Sequence, residues 1–174
     1  MELHPWSGAG QQTQAVGWTL INDAASSNAF AALVNAVPQS FQGLTAPGSA
    51  LNFATPLFVS NSFDSARQVI DVSGDGEEND GADTATARNA ALAAGIDTIN
   101  GLAIGGAAIT TFYQNNIAGG ANSFVITASF GDFATAIQDK LIKEITPVPE
   151  PGSLALAGLG LLGLFGMRRR VKQA

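Results

Sequence analysis

The residues best suited to chemistry lie in one short stretch, residues 73–83 (SGDGEENDGAD). Three glycines in this stretch permit tight backbone turns. The carboxylates that it holds are Asp75, Glu77, Glu78, Asp80 and Asp83. Clustered carboxylate oxygens suit a hard divalent cation such as Mg²⁺ or Ca²⁺, which takes about six oxygen ligands. The alternative is that these acids only keep a surface loop soluble, and the sequence leaves both interpretations open.

The spacing of these acids does not match a calcium-binding EF-hand loop. Counted from Asp71, the pattern agrees as far as Gly76, but Ala82 stands where the closing glutamate is needed. Counted from Asp75, Asp80 stands where the glycine belongs. Both registers of the motif therefore fail.

The inventory of side chains excludes several classes of enzyme. The chain has no cysteine and a single histidine, His4, so thiol nucleophiles, zinc clusters and histidine-based triads are ruled out. Acids from one loop lie side by side, whereas glycoside hydrolysis needs two carboxyl groups across a substrate cleft. We expect a protein that is not an enzyme. The alternative is an enzyme that acts on exopolysaccharide through residues 75–83.

Charge is divided unevenly along the chain. Residues 1–147 hold 13 acidic and 4 basic residues, a formal −9, and residues 148–174 hold 1 acidic and 4 basic residues, a formal +3, which sum to −6. An acidic body cannot neutralise phosphates and release their counterions. Nucleic acid is therefore excluded as a partner.

The hydrophobic pattern predicts strands that alternate with helices and so position the acidic loop. The predicted strands are residues 3–6, 12–20, 68–72, 96–104 and 123–128. The predicted helices are residues 23–36, 46–60, 83–94 and 130–145, with a short helical turn at 109–116. Such alternation predicts an α/β fold with a Rossmann-like, doubly wound, mostly parallel sheet. Ligands of such sheets lie beyond the carboxyl ends of strands, here the loops 43–46 (GLTA) and 73–83.

Asp71 lies within the strand that leads into the acidic loop. The two-residue period places it on the same face as Ser73 and Asp75. A buried carboxylate requires partners or a raised pKa. We interpret Asp71 and Ser73 as residues that support the ligand-bearing turn from behind, with an ion pair to Arg67 or Arg88 as the alternative for Asp71.

The C-terminal residues form a separate unit with three parts. An apolar run without a charge, residues 153–167 (SLALAGLGLLGLFGM), would make a helix of about 22 Å, shorter than a bilayer core of roughly 30 Å. Basic side chains can extend such a span, and the positive-inside rule places them in the cytoplasm. We predict a transmembrane helix, with a C-terminal core helix as the alternative. The flanking residues are Val148, Pro149, Glu150 and Pro151 before the run and Arg168, Arg169 and Arg170 after it.

This arrangement resembles the PEP-CTERM sorting signal of bacterial exported proteins. The resemblance implies that a membrane exosortase recognises the tail and processes it. It also implies a chain held at the cell inner membrane by its C-terminal helix, with a body that is periplasmic or extracellular after sorting. We divide the chain into a body, residues 1–146, and a sorting signal, residues 147–174.

The body is similar to an uncharacterised bacterial family whose members resemble von Willebrand factor A domains. The similarity rests on an ordered series of short segments. These are WSG at 6–8, WTL at 18–20, RQVIDVSGDG at 67–76 with Asn79, ARNA at 87–90, GLAI at 101–104, and Phe133, Ile137, Lys140 and Leu141. The resemblance implies an envelope binding or adhesion module with a protein or polysaccharide ligand.

Von Willebrand A domains bind a divalent ion at a metal-ion-dependent adhesion site. Thr45 matches the threonine of that site and Asp75 matches its aspartate, whereas residues 1–40 contain no DxSxS motif. The resemblance therefore implies an incomplete site for Mg²⁺ or Ca²⁺ and a missing first strand. Residues 1–6 also lack an export leader. We expect that the chain begins late, through a misassigned start or a truncation, and a non-functional fragment is the alternative to a working module.

Overall fold

The computed structural model describes residues 1–145, so the sorting signal and the predicted membrane helix at 153–167 lie outside the described residues. The chain divides into two units, Met1–Ile137 and Gln138–Ala174. The described part of the second unit contains an ion pair between Lys140 Nζ and Glu144 Oε1 at 3.3 Å. Between residues 1 and 145, none of the helices has the length and apolar character that crossing a membrane requires.

Helices and strands alternate from residue 57 onward, largely as the hydrophobic pattern predicts. The helices are α1 (Ala24–Ala36), α2 (Pro47–Ala54), α3 (Leu57–Ser60), α4 (Thr84–Ala93), α5 (Ala107–Phe112) and α6 (Phe133–Ile145). The strands are β1 (Val69–Gly74), β2 (Thr98–Ile104), β3 (Gly119–Gly120) and β4 (Val125–Ala128). A π-helical turn, Tyr113–Ile117, continues α5.

Two sequence-based predictions of elements are wrong. The helix predicted at 46–60 is divided into α2 and α3 at Thr55 and Pro56, because proline has no N–H for the helical ladder. The strands predicted at 3–6 and 12–20 form an N-terminal hairpin outside the main sheet, with only isolated bridges from Leu3 to Val16 and from Trp6 to Gln12. Pro5 lies between these bridges and cannot donate to a ladder.

The sheet is built around β2. Strand β1 pairs with β2 in parallel along one edge, and β4 pairs with it in parallel along the other. The short β3 pairs antiparallel with the first residues of β2, so the sheet is mixed. Along residues 1–145 the order β1-β2-β4 follows the chain without the reversal of a doubly wound sheet, and no strand covers the outer edge of β1. The α/β class is therefore confirmed, and the doubly wound topology stays a prediction.

The two faces of the sheet carry separate apolar clusters because side chains alternate along each strand. On one face, Ile99 and Ala103 of β2 pack in the core cluster with residues of β1, α2, α4 and the π-helical turn. On the other face, Leu102 and Ile104 pack with Ala128 of β4 and with Ala136 in the first turns of α6. All seven residues of β2 are consequently buried.

Tyr113 fills the first of these clusters and is completely buried. Its ring lies against two glycines: a Cβ on Gly101 would lie 2.8 Å from its Cδ1, and a Cβ on Gly74 would lie 2.5 Å from its hydroxyl oxygen. Within residues 1–145 that hydroxyl has no hydrogen-bond partner. Burial, and secondarily the negative charge of Asp75, raise the pKa of Tyr113 above its ordinary value.

Tyr113 is the only tyrosine, so the absorbance of tyrosinate reports on it alone. We expect no ionisation of the folded chain near the ordinary pKa of 10.0. Above that pH the unfolded chain loses the proton first, so the free energy of unfolding should fall as pH rises further. Tyr113→Phe should remove this alkaline loss and cost little at neutral pH, because the hydroxyl is unpaired. Tyrosinate that forms near pH 10.0 in a chain still folded by circular dichroism would contradict the burial.

Candidate functional site

The two loops that the sequence marks as candidate binding loops meet at Thr45 and Asn79. The backbone N–H of Thr45 donates to Asn79 Oδ1 at 2.8 Å. The backbone N–H of Asn79 donates in return to the carbonyl oxygen of Thr45 at 3.0 Å. This reciprocal pair of hydrogen bonds joins residues 43–46 to residues 73–83 beside the carboxyl end of β1.

The hydroxyl of Thr45 lies over the residue that follows Asp75. A Cβ on Gly76 would lie 2.9 Å from Thr45 Oγ1, so a larger residue at this position would require the Thr45 side chain to shift. Asp75 itself is exposed to solvent. The structure therefore brings the two predicted site residues, Thr45 and Asp75, to neighbouring places at one edge of the sheet.

Asp71 is exposed, so the expectation that it is buried is wrong. Neighbouring residues of a strand face opposite sides of the sheet, and Asp71 lies on the side opposite Ile70 and Val72, which are the two buried residues of β1. Arg67 donates to Thr98 Oγ1 at 3.2 Å, and Arg88 donates to the carbonyl oxygen of Asn115 at 2.7 Å. An ion pair of either arginine with Asp71 stays a prediction. Ser73 is half-buried, and the supporting role of both residues stays a prediction.

Three of the five acids in the loop accept hydrogen bonds from the protein. Glu78 accepts from the backbone N–H of Thr84 at 2.6 Å, and Asp80 accepts from the backbone N–H of Ala9 at 2.7 Å. Asp83 caps the start of α4. Its pKa lies below the ordinary value, mainly because it accepts a hydrogen bond from the Thr86 hydroxyl and secondarily because it accepts one from the Thr86 N–H. These carboxylates therefore stabilise the conformation of the loop. The sequence alone indicates only that they keep the loop soluble or bind a cation.

The remaining donors do not fit a divalent cation by themselves. In the part of the chain that the structure describes, no three carboxylate or imidazole groups come together in a way that could hold a metal. Thr45 and Asp75 would supply two oxygen ligands where Mg²⁺ or Ca²⁺ takes about six.

The N-terminal hairpin forms a third side of this site, which the sequence did not predict. Ser7 holds residues 43–46 in place, because its hydroxyl donates to the carbonyl oxygen of Leu44 at 2.8 Å and its carbonyl accepts from Ala46 N at 2.9 Å. An open cleft of about 360 Å³ lies here, lined by residues 8–11, residues 42–44 and Asp80. The contact between Ala9 and Asp80 joins residues 71 positions apart, and no local pattern indicates a pairing at that distance.

Helix α2 closes the site from behind through a tight backbone contact. A Cβ on Gly48 would lie 2.1 Å from the carbonyl oxygen of Ala82, so only glycine allows this approach. Ser49 Oγ accepts from the backbone N–H of Ala82 at 3.1 Å. The acidic loop is thus held at both of its ends and in its middle.

Comparison with known families first defines the class of protein. Residues 147–170 match the PEP-CTERM protein-sorting motif, which confirms the predicted sorting signal of an exported protein. Residues 1–149 match the family described as "Protein of unknown function (DUF1194)", and the chain belongs to that family. No curated protein and no solved structure matches the chain. The likeness to von Willebrand A domains stays a prediction.

Asn79 offers a direct test of how the two loops are joined. Asn79→Ala removes the acceptor for the Thr45 N–H and should lower the free energy of unfolding by about 1 kcal/mol. Hydrogen exchange at the Thr45 amide should become faster in this variant. Asn79→Asp keeps an oxygen at the same place and should leave the exchange close to that of the unmodified chain. Equal exchange in the alanine variant and the unmodified chain would show that the bond does not hold the loops.

Proposed function

We propose that this chain is a non-enzymatic binding module of the bacterial cell envelope, delivered by exosortase-dependent sorting. The observation that carries the proposal is the sorting motif at residues 147–170, directly after a body with a braced loop site. In this proposal, residues 153–167 cross the inner membrane and Arg168, Arg169 and Arg170 remain on its cytoplasmic side. The body is then periplasmic or extracellular.

The proposed binding surface is the edge formed by Thr45 and Asp75. Loops beyond the carboxyl ends of parallel strands are the usual ligand sites of α/β proteins. The Thr45 hydroxyl can donate or accept a hydrogen bond, and the exposed carboxylates of Asp75 and Glu77 can accept hydrogen bonds from a partner. We propose a protein or polysaccharide ligand, as in a module of the von Willebrand A type.

The occupied carboxylates support binding rather than catalysis. Glu78, Asp80 and Asp83 are each engaged by a backbone N–H, so they are poorly placed to exchange protons with a substrate. Glycoside hydrolysis needs an acid and a second carboxylate on either side of the scissile bond. Asp75 and Glu77 lie in the same loop with only Gly76 between them, which does not provide two such sides.

The sorting address can be tested with a fluorescent fusion to the full chain, placed behind a cleavable export leader in a host with an exosortase. We expect the fusion in the envelope fraction. Removal of residues 148–174 should release it into the periplasm, because the proposed membrane helix is then gone. A fusion with an intact tail that stays in the cytosolic fraction would contradict the address.

Calorimetry with Mg²⁺, Mn²⁺ and Ca²⁺ tests the metal expectation on the full chain. Since the described edge offers too few oxygen ligands, we expect only weak binding that Asp75→Ala leaves unchanged. Glu77→Ala is the matched control, because it removes an exposed acid of the same loop. Tight binding lost in Asp75→Ala and retained in Glu77→Ala would instead demonstrate a complete cation site at this edge.

A further inference from the structure

The open cleft beside the candidate site has the dimensions of a ligand site. Residues 8–11 of the N-terminal hairpin, residues 42–44 and Asp80 of the acidic loop line it. Its volume of about 360 Å³ falls within the range of about 300–1,000 Å³ that is usual for small-ligand sites. Small lining residues leave room for a ligand to approach the backbone, and these are Gly8, Ala9, Gly10 and Gly43.

Two polar side chains come together within the cleft. Gln11 Oε1 and Asp80 Oδ2 each lie 3.1 Å from the position that a Cβ on Gly8 would occupy. The same oxygen of Gln11 lies 3.9 Å from the corresponding position on Gly43. The Gln11 carboxamide therefore reaches from the hairpin towards residues 42–44, with the Asp80 carboxylate close beside it.

Hydrogen bonds to the backbone fix both of these side chains. The N–H of Gly8 donates to Gln11 Oε1 at 3.0 Å, and the N–H of Ala9 donates to Asp80 Oδ2 at 2.7 Å. Polar groups that are held in place before a ligand arrives lose less conformational entropy when it binds. The cleft is thus preorganised for a ligand.

The other polar atoms of these side chains are free to meet a ligand. Within residues 1–145, Gln11 Nε2 donates no hydrogen bond and Asp80 Oδ1 accepts none. The exposed carboxamide of Gln42 likewise forms none with the part of the chain that the structure describes. The cleft therefore offers N–H donors and oxygen acceptors side by side.

The residues that line the cleft disfavour two other kinds of ligand. An anion would have no positive partner, because none of the described lining residues is basic and the first lysine or arginine in the sequence is Arg67. Protein interfaces are anchored by aromatic or arginine side chains in buried pockets. Leu44 is the one large apolar residue among the described lining residues, so such an anchor is missing.

We infer that the cleft binds an uncharged, hydroxyl-rich segment of a polysaccharide. A hydroxyl group both donates and accepts a hydrogen bond, which matches the mixed donors and acceptors of Gln11, Gln42 and Asp80. The exposed side chain of Leu44 can pack against the C–H face of a sugar ring. This inference rests on the proposed function and deepens it, because it selects polysaccharide over protein and adds the cleft to the Thr45 and Asp75 edge.

Calorimetry on the full chain in a sugar-free detergent tests the ligand class. The probes are neutral oligosaccharides of glucose, galactose and mannose, with chitosan oligosaccharides as the cationic comparison and oligogalacturonates as the anionic one. We expect binding of at least one neutral series and several-fold weaker binding of both charged series. The dissociation constant of the neutral ligand should be the same at low and high salt, because an uncharged ligand forms no ion pair that salt can screen.

A glutamine substitution tests the position of the ligand. Gln42→Ala removes a carboxamide that forms no hydrogen bond within the described chain, so the fold should persist while the dissociation constant rises about five- to tenfold. Gln39→Ala is the matched control, because Gln39 is also exposed and does not line the cleft. It should leave the dissociation constant unchanged. Circular dichroism shows whether both variants are folded.

Each alternative result has a distinct meaning. No binding of any neutral oligosaccharide would overturn the inference, and so would stronger binding of chitosan oligosaccharides that salt weakens. Binding that Asp75→Ala abolishes and Gln42→Ala leaves intact would place the ligand at the Thr45 and Asp75 edge, which overturns the cleft and supports the proposed function. Failure of the envelope address is distinguishable from all of these, because it is measured by fractionation and the cleft by binding in solution.

Discussion

Burial of strand β2 on both faces is the constraint on which the rest of the body depends. A strand with no exposed residue needs a neighbouring strand on each side for its backbone groups and a helical layer on each face for its side chains. Strands β1 and β4 are the neighbouring strands. The helical layers come from α4 and the π-helical turn on one face and from the first turns of α6 on the other. Because β1 and β2 run parallel, their carboxyl ends lie at the same end of the sheet. Thr45 and Asp75 lie at that end.

The candidate site is held in shape by its own polar groups. Asn79 joins the two loops, Asp80 secures the N-terminal hairpin, and Glu78 and Asp83 fix the approach to α4. A surface that is already ordered loses less conformational entropy when a partner binds. Glu78, Asp80 and Asp83, which suggested metal binding from the sequence, therefore hold the loop in place by accepting hydrogen bonds.

Much of the fold could be predicted from the sequence because its signals are local. Asp23 is a typical N-cap residue and precedes α1, and β2 lies within the strand predicted at 96–104. The errors arise where a local signal was overridden. Pro56 interrupts what periodicity shows as one helix, and Pro5 prevents the hairpin bridges from extending into strands. For the site, Thr45 and Asp75 were found by resemblance, but Asn79 and Asp80 act through contacts between segments far apart in the chain.

Strand β1 presents one edge to which the described residues add no further strand. Such edges can template pairing with other chains, and natural proteins often protect them with a charged side chain. Asp71 stands exposed near the middle of this strand. A charged residue at this position makes the edge a poorer template for an added strand than an entirely apolar strand would be.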